Sequence, residues 1–141
     1  MLPYDGEYVI LATRSDGRAG DSVGEYTLTI SNLPLLEAGV PVEGDVSSEG
    51  VVYYAVDATK GPFTINYAKT SGDFFPEIVV NDISEAELDD IASMTGTFVS
   101  GSMTIDPAYA NGDVLVILLH EGLWDWNYDE IRATYTLTIE Q

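Results

Sequence analysis

Three aromatic side chains stand two residues apart in the stretch EGLWDWNYDE, residues 121–130. If that stretch is extended, Trp124, Trp126 and Tyr128 share one face, because successive side chains of a strand alternate sides. An aromatic face flanked by Asp and Asn can stack on sugar rings or anchor a protein partner. Both are binding chemistry. Folded inward, the same tryptophans would cap the end of a core, and spacing alone leaves the two readings open.

Carboxylates are the second set that could do chemistry. The chain carries 24 Asp and Glu against five Lys and Arg, a formal charge of −19. Calcium takes six to eight oxygen ligands, which clustered loop carboxylates supply. Three clusters qualify: Asp16, Asp21 and Glu25; Asp125, Asp129 and Glu130; and Asp82, Glu85, Glu87, Asp89 and Asp90. None has the alternating acidic spacing of a dedicated calcium loop. Calcium sites and solvated acidic turns both remain open. The same charge repels phosphate, so nucleic acid and anionic membranes are not expected partners.

Catalysis has little to stand on. His120 is the one histidine, and no G-x-S-x-G frames a serine nucleophile. There is no cysteine, which removes thiolate chemistry and sulfur-ligated zinc. A carboxylate pair could hydrolyse a glycoside, but 24 acids give no signal for any one pair. A structural His120 and a non-catalytic protein are the expectation. The start MLPYDGEYVI lacks a basic segment followed by an apolar run, so no signal peptide is expected within the chain. The longest apolar run, VLVILL at 114–119, is too short to span a bilayer, so no membrane insertion is expected.

These residues must be positioned by strands. Period-two alternation dominates: Tyr26, Leu28 and Ile30; Phe63, Ile65 and Tyr67; and Tyr135, Leu137 and Ile139 each oppose polar neighbours. Further strands are predicted at 7–13, 41–46, 51–57, 77–81, 97–105 and 113–120. VLVILL does not alternate and reads as a central strand covered on both faces. Turn residues separate the runs: SDG at 15–17, SEG at 48–50, KGP at 60–62, SGD at 71–73 and NGD at 111–113. SEAELDDIASM, residues 84–94, breaks the pattern. Ser84 and Glu87 make a capping box, and Leu88, Ile91 and Met94 are spaced for one helical face, so a short helical insert is predicted. The expected class is all-β, an antiparallel, jelly-roll-like β-sandwich.

The chain also repeats itself. GEYTLTI at 24–30 returns as ATYTLTI at 133–139, and DGEYVILATR at 5–14 matches NGDVLVILLH at 111–120. Residues 31–141 are long enough for a complete sandwich, which makes 1–30 a hairpin resembling the closing hairpin of a preceding repeat. The alternative is a single nine-stranded domain in which the match is coincidence. A lone hairpin is barely stable in water, so 1–30 must pack on its own domain, on an upstream domain, or on a neighbouring molecule. The last would link protomers head to tail through self-association.

The ordered segments GVPVEGDVSSEGVVYYAVDATKGPFTINY, EIVVND, NGDVLVILLHE and ATYTLTI resemble the bacterial pre-peptidase C-terminal domain family. The resemblance runs over residues 39–141 and departs from the family at 84–94, where members usually have a loop and a strand. It implies a β-sandwich appended to a secreted enzyme. It also implies a non-catalytic accessory role in binding or spacing, an extracellular or cell-surface location, and a protein or polysaccharide ligand. Related collagenase collagen-binding domains are steadied by calcium.

Overall fold

In the computed structural model, the described residues are 32–47, 50–72, 75–82, 89–96, 99–121 and 132–141, with Glu25, Thr27 and Thr29. The chain divides into two units, Met1–Asn32 and Leu33–Gln141. The strands expected within 1–30 lie outside the described residues; Glu25, Thr27 and Thr29 are exposed.

Alternating side chains give the second unit its strands. These are β1 (Val42–Ser47), β2 (Val52–Asp57), β3 (Phe63–Gly72), β4 (Pro76–Asp82), β5 (Asp89–Met94), β6 (Ser100–Ile105), β7 (Val114–Glu121) and β8 (Arg132–Glu140). They pair antiparallel in two four-stranded sheets, ordered β1-β8-β3-β6 and β2-β7-β4-β5. The interleaved order, with β1 and β2 in opposite sheets and β8 returning beside β1, is that of a jelly roll. The fold is the expected all-β sandwich.

Between the sheets, Ile65, Leu137 and Ile139 of one layer join Ile78, Ile117 and Leu119 of the other in a single apolar core. Each is at most 1% exposed, and burying such a side chain contributes roughly 1.5–3 kcal/mol. β7 is apolar on both faces, as its unbroken VLVILL run implied: Leu115, Ile117 and Leu119 enter the core, and Val116, which points the other way, is also buried.

One local expectation is corrected. Asp89–Met94, read as the end of a helical insert, is strand β5. Among the described residues there is no α-helix, only short 3₁₀ turns at Ala58–Lys60 and Pro107–Tyr109. The physical reason is a bulge. Val80 pairs with Ala92 and Asn81 with Asp90, so Ile91 is an extra residue in β5. Ala92 and Met94, opposite Val80 and Ile78, keep the two-residue alternation toward the core, and the extra Ile91 adds a further contact just before them. Ile91 and Met94 then both pack against the core at a spacing that imitates a helix.

The two open sides of the sandwich are closed differently. Beside β2, Pro34 O accepts from Ala55 N at 2.9 Å and Leu36 N donates to Ala55 O at 2.9 Å. Gly39 N then donates to Ile139 O at 2.8 Å in the other sheet. This strap drives Leu36 into the core, 4% exposed. On the opposite side, between β5 and β6, Ile91, Met94 and Met103 are only partly buried.

Candidate functional site

Antiparallel pairing sorts the loops onto two ends of the sandwich. At one end β7 stops at Glu121, opposite Pro76, and β8 begins at Arg132, opposite Ser47. These are the two anchors of the aromatic loop. Trp124, Asp125, Trp126, Tyr128, Asp129 and Glu130 lie outside the described residues, as do Asp16 and Asp21 of the other hairpin loop. Glu25 is described and exposed.

The surroundings of the anchors are well defined. The Arg132 guanidinium donates to Asp45 Oδ2 at 2.9 Å. The Lys69 ammonium sits 3.9 Å from the centre of the Phe75 ring and donates to Gly72 O at 3.0 Å. His120 stands opposite Glu77 across the β4–β7 ladder, Nε2 3.9 Å from Oε2. That is a cross-strand partner for a half-buried histidine. Two of the chain's five cations, Arg132 and Lys69, therefore lie at this end of the sheets of a strongly acidic protein.

The opposite end is rich in aspartate, and four of its carboxylates, those of Asp57, Asp82, Asp90 and Asp106, have structural partners. Asp57 caps the first 3₁₀ turn, accepting from Thr59 N at 3.0 Å and Thr59 Oγ1 at 2.5 Å. The hydroxyl bond first, then the backbone bond, holds the Asp57 carboxyl below its ordinary pKa range, with nearby Lys60 adding to the effect. Asp106 caps the second turn through Ala108 N at 2.9 Å. Asp82, 6% exposed, accepts from Asn111 N at 2.5 Å. Asn81, 2% exposed, donates its side-chain amide to Asp90. The bulge in the β4–β5 pairing falls beside this contact. Of the third acidic cluster, Asp82 and Asp90 thus tie β4 to its neighbours, while Glu85 and Glu87 lie outside the described residues. Among the described residues, no three His, Asp or Glu side chains are grouped to hold a metal ion.

Two features escaped the sequence reading. Tyr54 and Tyr135 meet hydroxyl to hydroxyl at 2.8 Å inside the core, and both look in sequence like plain strand residues. Among the described residues strand β6 is an edge, a position that its sequence, uncharged from Thr95 to Ile105, does not mark.

No protein-family model and no curated protein matches the chain. Among solved structures, it is similar to the pre-peptidase C-terminal domain of collagenase from Bacillus anthracis. The two superpose with a TM-score of 0.52 at 8% identity, over 81% of this chain and 100% of that one. Identity that low carries fold and not activity. The resemblance read from residues 39–141 holds at that level: the chain has the sandwich fold of a pre-peptidase C-terminal domain.

Proposed function

We propose that the protein is a non-catalytic accessory module, a binding or spacer domain of a larger secreted or cell-surface protein. The observation that carries this is the fold itself, a jelly roll of eight strands among the described residues, similar to the pre-peptidase C-terminal domain of a collagenase. Two things agree with it. His120 faces a carboxylate across a ladder, an arrangement that needs no substrate. Asp57 and Asp106 cap turns, and Asp82 accepts from the Asn111 amide. The ligand end is the one between Glu121 and Arg132, with Trp124, Trp126 and Tyr128 as its contact residues and a protein or polysaccharide polymer as its partner.

The test is retention on insoluble polymers (fibrillar collagen, cellulose and peptidoglycan), with peptide and glycoside hydrolysis assayed in parallel. Retention on one polymer without turnover is expected. Replacing Trp124 and Trp126 by Ala should abolish retention while leaving the melting temperature unchanged. Turnover of any substrate sinks the accessory role. A lower melting temperature with retention intact would make the tryptophans core residues.

Calcium is proposed at the loop carboxylates Asp16, Asp21 and Glu25 and their counterparts Asp125, Asp129 and Glu130, on the strength of the repeated loop alone. Chelation should lower the melting temperature and added calcium should restore it. Identical melts in both conditions remove calcium and leave the accessory role standing.

A further inference from the structure

Among the described residues, four strands border the two sheets, and three of them are guarded. Beside β2 runs the Pro34–Leu36 strap. β1 presents Glu43 and Asp45 to solvent. β5 opens with Asp89 and Asp90 and carries the Ile91 bulge. Charges, bulges and covering segments are the usual means of stopping an edge from pairing with another chain. β6, SGSMTI, has none of them. It contains no charge and no proline, and its register with β3 runs without a break from Phe63↔Ile105 to Ala68↔Ser100.

The hydrogen-bonding state of that edge follows from one contact. Lys69 N donates to Val99 O at 2.7 Å, so those two residues form a hydrogen-bonded antiparallel pair. Pair types alternate along an antiparallel ladder. Gly101, Met103 and Ile105 therefore turn their amides and carbonyls toward β3. Ser100, Ser102 and Thr104 turn theirs outward, away from the sheet. Among the described residues, no strand pairs with that outer side.

Side chains complete the picture. Val99, Gly101 and Met103 share the core-facing row that ends at the buried Ile105. Val99 is 60% exposed, and Met103 is half-buried next to the opening that Ile91 and Met94 also border. Asp90 at the start of β5 and Asp106 just past β6 are exposed. The whole chain is at −19.

We propose that the outer edge of β6 is a docking site for an extended polypeptide segment that alternates apolar and basic residues. Such a segment would add as a fifth strand. Its backbone would pair with Ser100, Ser102 and Thr104, and its apolar side chains would extend the row of Val99 and Met103. Its cations would be drawn by the acidic field. A second copy of the chain is disfavoured because two bodies of this charge repel. This deepens the accessory-module function, naming one site and one ligand class for it.

The experiment uses the full chain and a synthetic peptide of alternating valine and lysine, read by site-resolved amide exchange and by titration. In the free protein, the amides of Ser100, Ser102 and Thr104 should exchange faster than those of Gly101 and Met103. The peptide should protect those three. A peptide N-methylated at every second residue keeps charge and composition but loses the donors, and it should bind at least about tenfold more weakly. Ser102→Pro should weaken binding similarly, since its N–H points away from β3 and the ladder is kept, the loss toward β3 being the side-chain bond from Ser102 Oγ to Asn66 Oδ1 at 2.8 Å. Slow exchange of the Ser102 amide in the free protein, or binding that N-methylation does not weaken, overturns the site. So does the absence of binding to this peptide. None of these outcomes bears on polymer retention or turnover, by which the accessory function itself is judged.

Discussion

Replacing Gly72 by Ala should cost about 3–5 kcal/mol, enough to lower the melting temperature by about 10 °C. Gly72 closes β3 at φ +99°, in the left-handed region that side chains avoid. A methyl group there would overlap the Arg132 carbonyl oxygen and lie 2.6 Å from Ala133 Cα and 2.9 Å from Arg132 C. Backbone cannot yield as the tip of a flexible side chain can. The close approach follows from a bulge: Lys69 pairs with Tyr135 and Ser71 with Thr134, so Thr70 is an extra residue that swings the end of β3 onto β8. Gly61 is the control. It has φ +95° with ψ −165° and nothing within 4 Å of an added methyl, so Gly61→Ala should show only the conformational cost of about 1–3 kcal/mol. Urea denaturation of both variants separates strain from collision. Equal losses would mean that β8 does not approach Gly72 as described. The position also bears on the proposed ligand end, since Arg132 opens β8 where the chain returns from the aromatic loop.

The sandwich was legible because most of its strands obey one rule over several residues. Phe63, Ile65 and Tyr67, and Tyr135, Leu137 and Ile139, alternate without interruption and enter the core as read. β5 was misread where the rule breaks. Its bulge at Ile91 depends on pairing with β4, and a pairing partner 10 or so residues away leaves no local mark. The helix-like capping box at Ser84 and Glu87 then had no competing signal. The same limit hid the β6 edge: SGSMTI was recognisable as a strand, but its position at the border of a sheet is a property of topology. The aromatic face at Trp124, Trp126 and Tyr128 was visible as a pattern because alternation needs no partner. The structural partners of Asp57, Asp82 and Asp106 were not visible, since a carboxylate that caps a turn and one that awaits an ion are written with the same letter.

Stability should fall steeply as the pH rises above about 10, and the cause is a buried tyrosine cluster. Tyr67 and Tyr135 are 2% and 1% exposed, with ring centres 6.1 Å apart. An added methyl at Gly44 would lie 2.6 Å from the Tyr135 hydroxyl, so the neighbouring strand leaves this ring no spare room. Burial pushes the Tyr67 phenol up to about 12. It pushes Tyr135 up further still, and the hydrogen bond with Tyr54 adds to that rise. The sign follows from proton counts. Between about pH 10 and 12, the unfolded chain has released these protons while the folded chain keeps them, so the unfolded state binds fewer and stability falls with pH. The contribution is complete below pH 10 and is lost as pH rises through the folded values. Each retained proton costs about 1.4 kcal/mol per pH unit. Two together remove about 5 kcal/mol across that window, comparable with the whole stability of an ordinary domain. Tyr135→Phe should halve the slope, at an expense near neutral pH of about 1 kcal/mol for the lost hydroxyl contact. Urea titrations at stepped pH, followed by tyrosinate absorbance, give both quantities. The buried phenols should ionise together with unfolding, in one cooperative step. Gradual ionisation of every tyrosine near pH 10, with no loss of stability, would show that water reaches the cluster and that the sandwich is not closed around it.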